Sequence, residues 1–497
     1  MSKHGAMQRG ENPPRSRYYE QGRFGRMFPN LEPFAADTPT VRAALMKIGE
    51  KGGIMDAKDD PNATPADLIL SPALNVNNPN NPTLTAGMTF LGQFIDHDIT
   101  LDTTSSLERQ VDPEAVANFR TPTLALDNVY GQGPGASPHL YDATDPAKML
   151  VEPITGSPAS SRLGAQRFDL PRNSQLTALL GDPRNDENLI VSQLHLAMLR
   201  FHNAVVDHVR ADTGLANPQA VFNEAQRLVR WHYQWIITHE FLPKTCGQAL
   251  VDDVMTNGRK FYKWRNEPFI PVEFSVAAYR FGHSQVRPSY RMNFGPAPGG
   301  DVFFRIFVDT PANAASADPG DMRGGKRAPR RFIDWQTFFD FGDGNVRPNK
   351  KIDTKLSSVL MDLIGFPPGE PQSLAQRNLL RHLTFSVPSG QRVAKAMNIP
   401  PLPQGDLAAL APQGLDRRTP LWFYVLLEAE KTQNGERLGD VGGRIVAEVI
   451  VGLLEGDPAS YVAQDPSWSP TLPSAGGPGQ FQMTDLLRFA GVVHPLT

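Results

Sequence analysis

The sequence predicts a mainly α-helical protein organised as a single large domain. Three observations carry this. Helix starts of the cap-then-proline type recur, as at Asn217-Pro218 and Thr419-Pro420. Apolar residues repeat at helical spacing through LVRWHYQWIITHEFLP and LGDVGGRIVAEVIVGLLEG. Strand-like alternation is confined to short pieces such as DVFFRIFV. A length of 497 residues allows two or three domains, but no internal repeat of fixed period appears, and one domain is the simplest account.

Taken in order, residues 1–85 are loop-rich, with Pro and Asn clusters such as NVNNPNNPT, and read as an arm wrapped on a core formed by 86–497. The segment Thr89 to Asp102 follows as an amphipathic helix. At 100° per residue, Gln93, Asp96 and His97 share a polar stripe, while Met88, Leu91, Phe94, Ile95 and Ile99 fill the opposite side. Asp98 falls on that apolar side, where an unpaired carboxylate would cost several kcal/mol without a cation or strong donors. Gly181 to Asn188 (GDPRNDEN) is a turn-forming stretch with Asp186 as candidate cap for the helix carrying Ile190, Leu194, Ala197, Phe201 and Val205. A helix from Asn217-Pro218 runs to a stop near Gly247, and EFSVAAYRFGHSQVR forms another that ends at Pro288. Further helices start at Thr419-Pro420 and span Leu438 to Gly456. The tail from Asp465 is rich in Pro and Gly and closes on the amphipathic stretch MTDLLRFAGVV.

Composition excludes several function classes. Hydrophobic content is 40 %, charged content 20 % and net charge −3, with no Lys/Arg run to track a phosphate backbone, so nucleic acid is not an expected partner. The lone cysteine, Cys246, rules out an intrachain disulfide and a cysteine-based metal cluster. The N-terminus is polar without an apolar signal-peptide core, and no run of about 18 apolar residues suggests a membrane span. A cytoplasmic location is the expectation, with leaderless secretion as the alternative.

Two segments offer chemistry beyond packing. The Gln93, Asp96, His97 face can present a general acid–base histidine to a buried pocket; the bland reading is the solvated face of a surface helix, which gives no reason to bury Asp98. In Ala278 to His283 (AYRFGH), His283 shares a helical face with Arg280 and Arg287. A neutral histidine among arginines suits a metal ligand beside an anionic group, such as haem iron beside haem propionates; the bland reading is a core histidine bonded to a carbonyl. Arg184 stands at the entrance of the helix after GDPRNDEN, and that loop alone reads more readily as an ordinary solvent-exposed cap. His195, His202 and His208 lack metal-site spacing and read as structural.

Taken together, GQFIDHD, GDPRNDEN and YRFGH in this order resemble the animal-type haem peroxidases of the peroxidase–cyclooxygenase superfamily, in the style of its bacterial branch. The resemblance runs from about Thr89 to about Arg381 and continues loosely through IDWQTFFDF and TPLWFYVLLEAE. It implies a domain with haem b held between a distal and a proximal helix. The family's distal glutamine, haem-linking aspartate and catalytic histidine fall on Gln93, Asp96 and His97. Its catalytic arginine falls on Arg184 and its second ester-forming residue on Glu187. The next position, a haem-bonded methionine in myeloperoxidase, is Asn188, which excludes a sulfonium link. The proximal iron ligand falls on His283, with Asn378 as its hydrogen-bond partner and Arg280 and Arg381 as propionate partners. The activity implied is reduction of hydrogen peroxide coupled to oxidation of halides, thiocyanate or small phenolic donors.

The resemblance also implies a calcium ion bound by Asp98 and a loop that resembles RTPxLDLDxVYG. Here the loop reads RTPTLALDNVYG: Thr121, Thr123 and Asp127 are retained, but Ala125 replaces an aspartate, and the loss of a hard oxygen ligand weakens the case for Ca²⁺. A fatty-acid dioxygenase of the same superfamily is the nearest alternative. Those enzymes carry a tyrosine three residues before the proximal histidine, a position held here by Arg280, with Tyr279 rotated away by about 100°. A haem-binding protein without turnover and a haem-free hydrolase using His97 and Asp98 are the remaining readings.

Overall fold

The computed structural model describes residues 22–101, 117–118, 120–264, 267–296, 300–306, 319–364 and 369–495. Helices dominate: α1 (Pro39–Ile48), α2 (Ala86–Ile99), α3 (Leu189–Thr213), α4 (Pro218–Ile236), α5 (Gly282–Gln285), α6 (Leu374–Thr384), α7 (Leu421–Gln433), α8 (Asp440–Gly456) and α9 (Met483–Phe489) carry the labels used below. Strands are short. Asn80–Thr85 pairs antiparallel with Pro348–Lys350, and Ser289–Asn293 with Val302–Arg305. Gly22–Gly25 lies between Ala117–Asn118 and Ile270–Pro271. Phe307 and Val308 of the expected DVFFRIFV strand lie outside the described residues.

Local chemistry explains the helix limits. Asn217 accepts from the amide of Ala220, and Pro218 fills the first turn of α4, where a missing N–H costs nothing. The helix then passes through a π turn, Ile237–Phe241, and a last α turn that stops at Gly247, whose φ of +93° only glycine adopts readily. Helix α3 is capped by Asn188, whose side chain accepts from Ile190 and Val191. Asp186, the expected cap, instead pairs with Arg172 and Arg327; Asn188 is one residue before the first helical turn, where the free amides are.

Helix α3 is long and apolar enough to cross a membrane by length and composition, and 83 % of that stretch is buried inside the fold. This modifies the expectation from the sequence, in which no apolar run of that length was evident. Helix α3 packs on both α2 and α4, so its apolar faces are covered by protein.

The segment before Ala86 is not all loop. It contains α1 and buries Phe24, Met27, Phe28 and Phe34 in the common core. The amides of Met27 and Phe28 donate to the buried carboxylate of Glu273, at 2.9 and 3.1 Å. Further along, the Lys350 ammonium is caged by Asn75, the Asn78 carbonyl and Asn80, all from NVNNPNN. These contacts fasten the arm beside the first residues of α2 and beside the segment that leads into α5.

Candidate functional site

Helix α2 starts and ends three residues earlier than expected, but it holds its polar face as the sequence periodicity indicates. Gln93 and Asp96 are half-buried and His97 is buried. A turn formed by Pro183–Asp186 packs against this face and brings Arg184, Asn185 and Glu187 to it. Gly181 makes the approach feasible: a Cβ there would stand 2.5 Å from the Asp127 carbonyl oxygen. Gln93 Nε2 donates to Glu187 Oε1, and Asn188 Nδ2 donates to Gln93 Oε1 at 3.3 Å. Glu187 Oε1 is also 4.0 Å from His97 Nε2. Thr100 Oγ1 donates to Asp96 Oδ1 at 3.0 Å.

Arg184 is held on two sides. Its Nη2 donates to the carbonyls of His97 (3.1 Å) and Thr100 at the end of α2, and to Asp182 at 2.8 Å. Burial opposes ionisation of Asp182, yet Arg184 and Arg120 together keep its carboxyl well below the usual carboxylate range. The guanidinium is thereby fixed rather than free to swing. Burial, and then the Arg184 charge, lower the His97 pKa, so the imidazole is neutral at rest.

His283 stands in α5, near enough to Glu187 to feel its charge. The expected helix from Glu273 is present but changes pitch twice, through a π turn (Glu273–Ala277) and a 3-10 turn (Ala278–Phe281). It ends at Gln285, so Arg287 does not share a helical face with His283, contrary to expectation. Arg287 donates instead to Asn80 and to the Pro348 carbonyl. Burial and the adjacent Arg280 push the His283 pKa down to about 3. Its Nδ1 is 2.7 Å from Asn378 Nδ2, and Asn378 Oδ1 accepts from Arg280 Nη1 at 2.6 Å. Arg381 lies one turn further along α6, half-buried, with its guanidinium over the Phe385 ring.

The structure also brings in residues that the sequence did not single out. Asn185 Oδ1 is 2.8 Å from His97 Nδ1, and Asn185 Nδ2 is 3.0 Å from Nδ1 of His195, a residue read as merely structural. The Trp422 indole donates to the Arg280 carbonyl at 3.1 Å, its ring edge-on to His283 at 6.5 Å between centroids. The Trp422 amide donates to Nε2 of His382, whose Nδ1 meets the Asn378 carbonyl. Asn185 sits inside GDPRNDEN, so it was within sight; Trp422 and His382 become neighbours of the site only through tertiary packing.

The donor chemistry fits haem. A neutral histidine suits an iron ligand once the proton sits on Nδ1, carboxylates at Asp96 and Glu187 could take ester links, and Arg280 and Arg381 could pair with propionates. The Asp98 loop fits calcium poorly. Asp98 is fully buried with Oδ2 accepting from the Leu126 amide, while Oδ1 has no hydrogen-bond partner. Burial and then the nearby Asp127 push its pKa up to about 8. Thr121, Thr123 and Asp127 surround the same turn, half-buried. However, the Ala125 carbonyl is taken by Arg230 Nε at 2.7 Å and the Leu124 carbonyl by Gln234 at 3.0 Å. Among the described residues no group of three or more His, Cys, Asp or Glu side chains could hold a metal ion. Two carboxylates and two threonine hydroxyls with a guanidinium beside them would need water to complete the six to eight oxygen donors that Ca²⁺ takes.

The family model "Animal haem peroxidase" matches residues 105–298, which include Arg184, Glu187, Arg280 and His283. The chain is 23 % identical over 367 residues to "Peroxidasin homolog pxn-1" of Caenorhabditis elegans, covering 68 % of this chain and 27 % of that protein. It is 28 % identical over 183 residues to "Probable oxidoreductase PXDNL" of Homo sapiens, covering 35 % and 12 %. The aligned parts therefore span between an eighth and about a quarter of these relatives' length. In fold, the chain is similar to peroxidase A of Dictyostelium discoideum, with a TM-score of 0.55 at 15 % identity over 90 % of this chain and 89 % of that one. It is also similar to the fatty acid alpha-dioxygenase of Oryza sativa, with a TM-score of 0.53 at 15 % identity over 77 % and 70 %. In its helical fold, in the stretch matched by the family model and in the motifs that meet at this site, the chain is similar to the animal haem peroxidases.

Proposed function

We propose that this chain is a haem peroxidase that reduces hydrogen peroxide to water and oxidises halides, thiocyanate or small phenolic donors. The observation that carries the reading is the pairing of a neutral, buried His97, its Nε2 facing Glu187, with the fixed charge of Arg184, together with a neutral His283 tied to Asn378. His283 would hold the iron, Arg280 and Arg381 the propionates, and Asp96 and Glu187 ester links. Haem bound there would supply the redox chemistry that splits peroxide and oxidises the donor.

The chain's own residues handle protons and charge. His97 Nε2 can take a proton from hydrogen peroxide and return it to the departing oxygen, which leaves as water. Arg184 offers a pre-oriented positive charge where negative charge grows on that oxygen; its clamp on Asp182 means no reorganisation is needed. Gln93, held by Glu187 and Asn188, can position water or a halide beside His97. In the Asp98 loop, we take the Arg230 guanidinium to provide the positive charge that calcium provides elsewhere in the family.

The fold likeness to a fatty acid alpha-dioxygenase leaves a second reading, which the position of Tyr279 does not support. The Tyr279 phenol is buried, donates to the Gly92 carbonyl of α2 at 3.2 Å and lies against Phe274, and burial raises its pKa well above the ordinary value.

The test is the absorption spectrum of haem-loaded protein before and after a small excess of hydrogen peroxide, then with bromide, iodide or a phenol added. The expected result is a Soret change on peroxide that the donor reverses. His97→Ala should slow the peroxide step by at least roughly 10²-fold with haem still bound. An unchanged rate constant would remove His97 from the role, and oxygen uptake with a fatty acid in the absence of peroxide would replace the whole reading.

A further inference from the structure

We infer that Asn185 is a positioning residue that sets the tautomer and ring orientation of His97, and that His195 in turn sets Asn185. The inference rests on the reading of His97 as the group that moves the peroxide proton.

The hydrogen bonds dictate the protonation pattern. An amide oxygen only accepts, so the 2.8 Å contact from Asn185 Oδ1 requires the proton of neutral His97 to sit on Nδ1. Nε2 then carries the lone pair on the side of Gln93 and Glu187. That is the tautomer a general base needs before peroxide arrives; the other would present an N–H and could not accept. An amide nitrogen only donates, so the 3.0 Å contact from Asn185 Nδ2 makes His195 Nδ1 an acceptor and puts its proton on Nε2. Turning the amide over would reverse both tautomers at once, so the two histidines are locked to each other through one side chain.

The mounting is rigid. Asn185 is fully buried, its amide donates to the Asp182 carbonyl at 3.0 Å, and it belongs to the same short turn as Arg184. His195 is almost fully buried on α3, its ring edge-on to Phe94 of α2 at 6.2 Å between centroids. Burial lowers its pKa to about 4, which keeps the ring neutral and able to accept. The turn therefore delivers two functions from adjacent residues: Arg184 brings charge to the site and Asn185 sets the base. When Nε2 gains the proton, the Asn185 oxygen faces the developing positive ring and Glu187 lies 4.0 Å from the new N–H, so both ends of the imidazolium are met.

The experiment is stopped-flow measurement on the haem-loaded full chain, with the peroxide step and donor oxidation followed separately. Asn185→Ala should slow the peroxide step by roughly 10²-fold, the scale of a lost acid–base contribution, while donor oxidation and haem content stay near the parent values. Asn185→Asp retains an acceptor for His97 Nδ1 and should recover the rate constant to within about tenfold of the parent. Parent-like peroxide kinetics in Asn185→Ala, or an Asp variant as slow as the Ala variant, would overturn the proposal. Should the variants misfold, neutron diffraction from the parent protein reads the same point directly: deuterium on His97 Nδ1 supports it, and deuterium on Nε2 alone refutes it. A His97→Ala protein with an unchanged peroxide step would mark the failure of the underlying reading instead, whatever the Asn185 result.

Discussion

At the scale of single residues, the site is built from side chains that are themselves held at both ends. His283 meets Asn378, Asn378 accepts from Arg280, and the Arg280 backbone carbonyl accepts from Trp422. Removing the middle member tests whether the chain of contacts matters. Asn378→Leu deprives the Arg280 guanidinium of a buried acceptor and frees the His283 ring. The expected result is a haem affinity lower by roughly 10- to 100-fold, the range seen for partners of metal-ligating histidines. The haem-free protein should lose about 0.5–1.5 kcal/mol for the lost Arg280–Asn378 hydrogen bond. Haem titration and urea unfolding measure the two effects, and an unaltered affinity would show that Asn378 only fills space. Helical periodicity, which acts locally, made the Gln93, Asp96, His97 face legible, whereas the roles of Arg184, Glu187 and His283 came from the resemblance of their motifs. The contacts of Asn185 and Trp422 were not legible: their partners lie 88 and 142 residues away in the chain, and no local pattern encodes such a meeting.

At the scale of elements, helix ends were readable where capping chemistry is strong, as at Asn217-Pro218, and misread where two candidates compete, as with Asp186 and Asn188. The π turns at Ile237–Phe241 and Glu273–Ala277 share the apolar spacing of an α-helix and leave no separate mark in the sequence. The second of these precedes His283 and is bolted to the arm through Glu273, so a backbone irregularity sits where the site needs an altered aim. The Arg120 to Gly131 loop departs from the calcium-binding pattern that the resemblance implies. Ala125 offers only a carbonyl, and Arg230 of α4 has taken it. The parent protein should therefore bind less than one equivalent of calcium, and its melting temperature should be unchanged by calcium or a chelator. Ala125→Asp combined with Arg230→Ala should introduce calcium binding, visible as a metal-dependent rise in melting temperature. Stoichiometric calcium in the parent, measured by elemental analysis after dialysis, would refute the substitution of a guanidinium for the ion.

At the scale of the whole molecule, buried histidines act as neutral fasteners between distant segments. His232 on α4 donates from Nδ1 to the Leu228 carbonyl at 2.7 Å, and its Nε2 accepts from the amides of Thr471 and Leu472. Its ring also meets Trp468 and Phe481, so it secures the Pro/Gly-rich tail that leads to α9. Protonation would set an N–H against two backbone N–H groups. Burial is the larger cause that brings its pKa down to about 4, against an ordinary value of 6.5. The folded state thus binds a proton less readily than the unfolded chain, so the contribution of this neutral ring is fully present above pH ~6.5 and is lost as pH falls towards about 4. Comparison with His232→Gln isolates this group from the other buried acids and histidines, which are common to both proteins. Urea unfolding at a series of pH values should show a stability gap that is constant above pH ~7. Below pH ~6.5 the gap should narrow by up to about 1.4 kcal/mol per pH unit. A gap that stays constant from pH ~7 to pH ~5 would mean that the tail can move aside to let the ring charge, and that the fastening of the C-terminal segment is looser than its contacts imply.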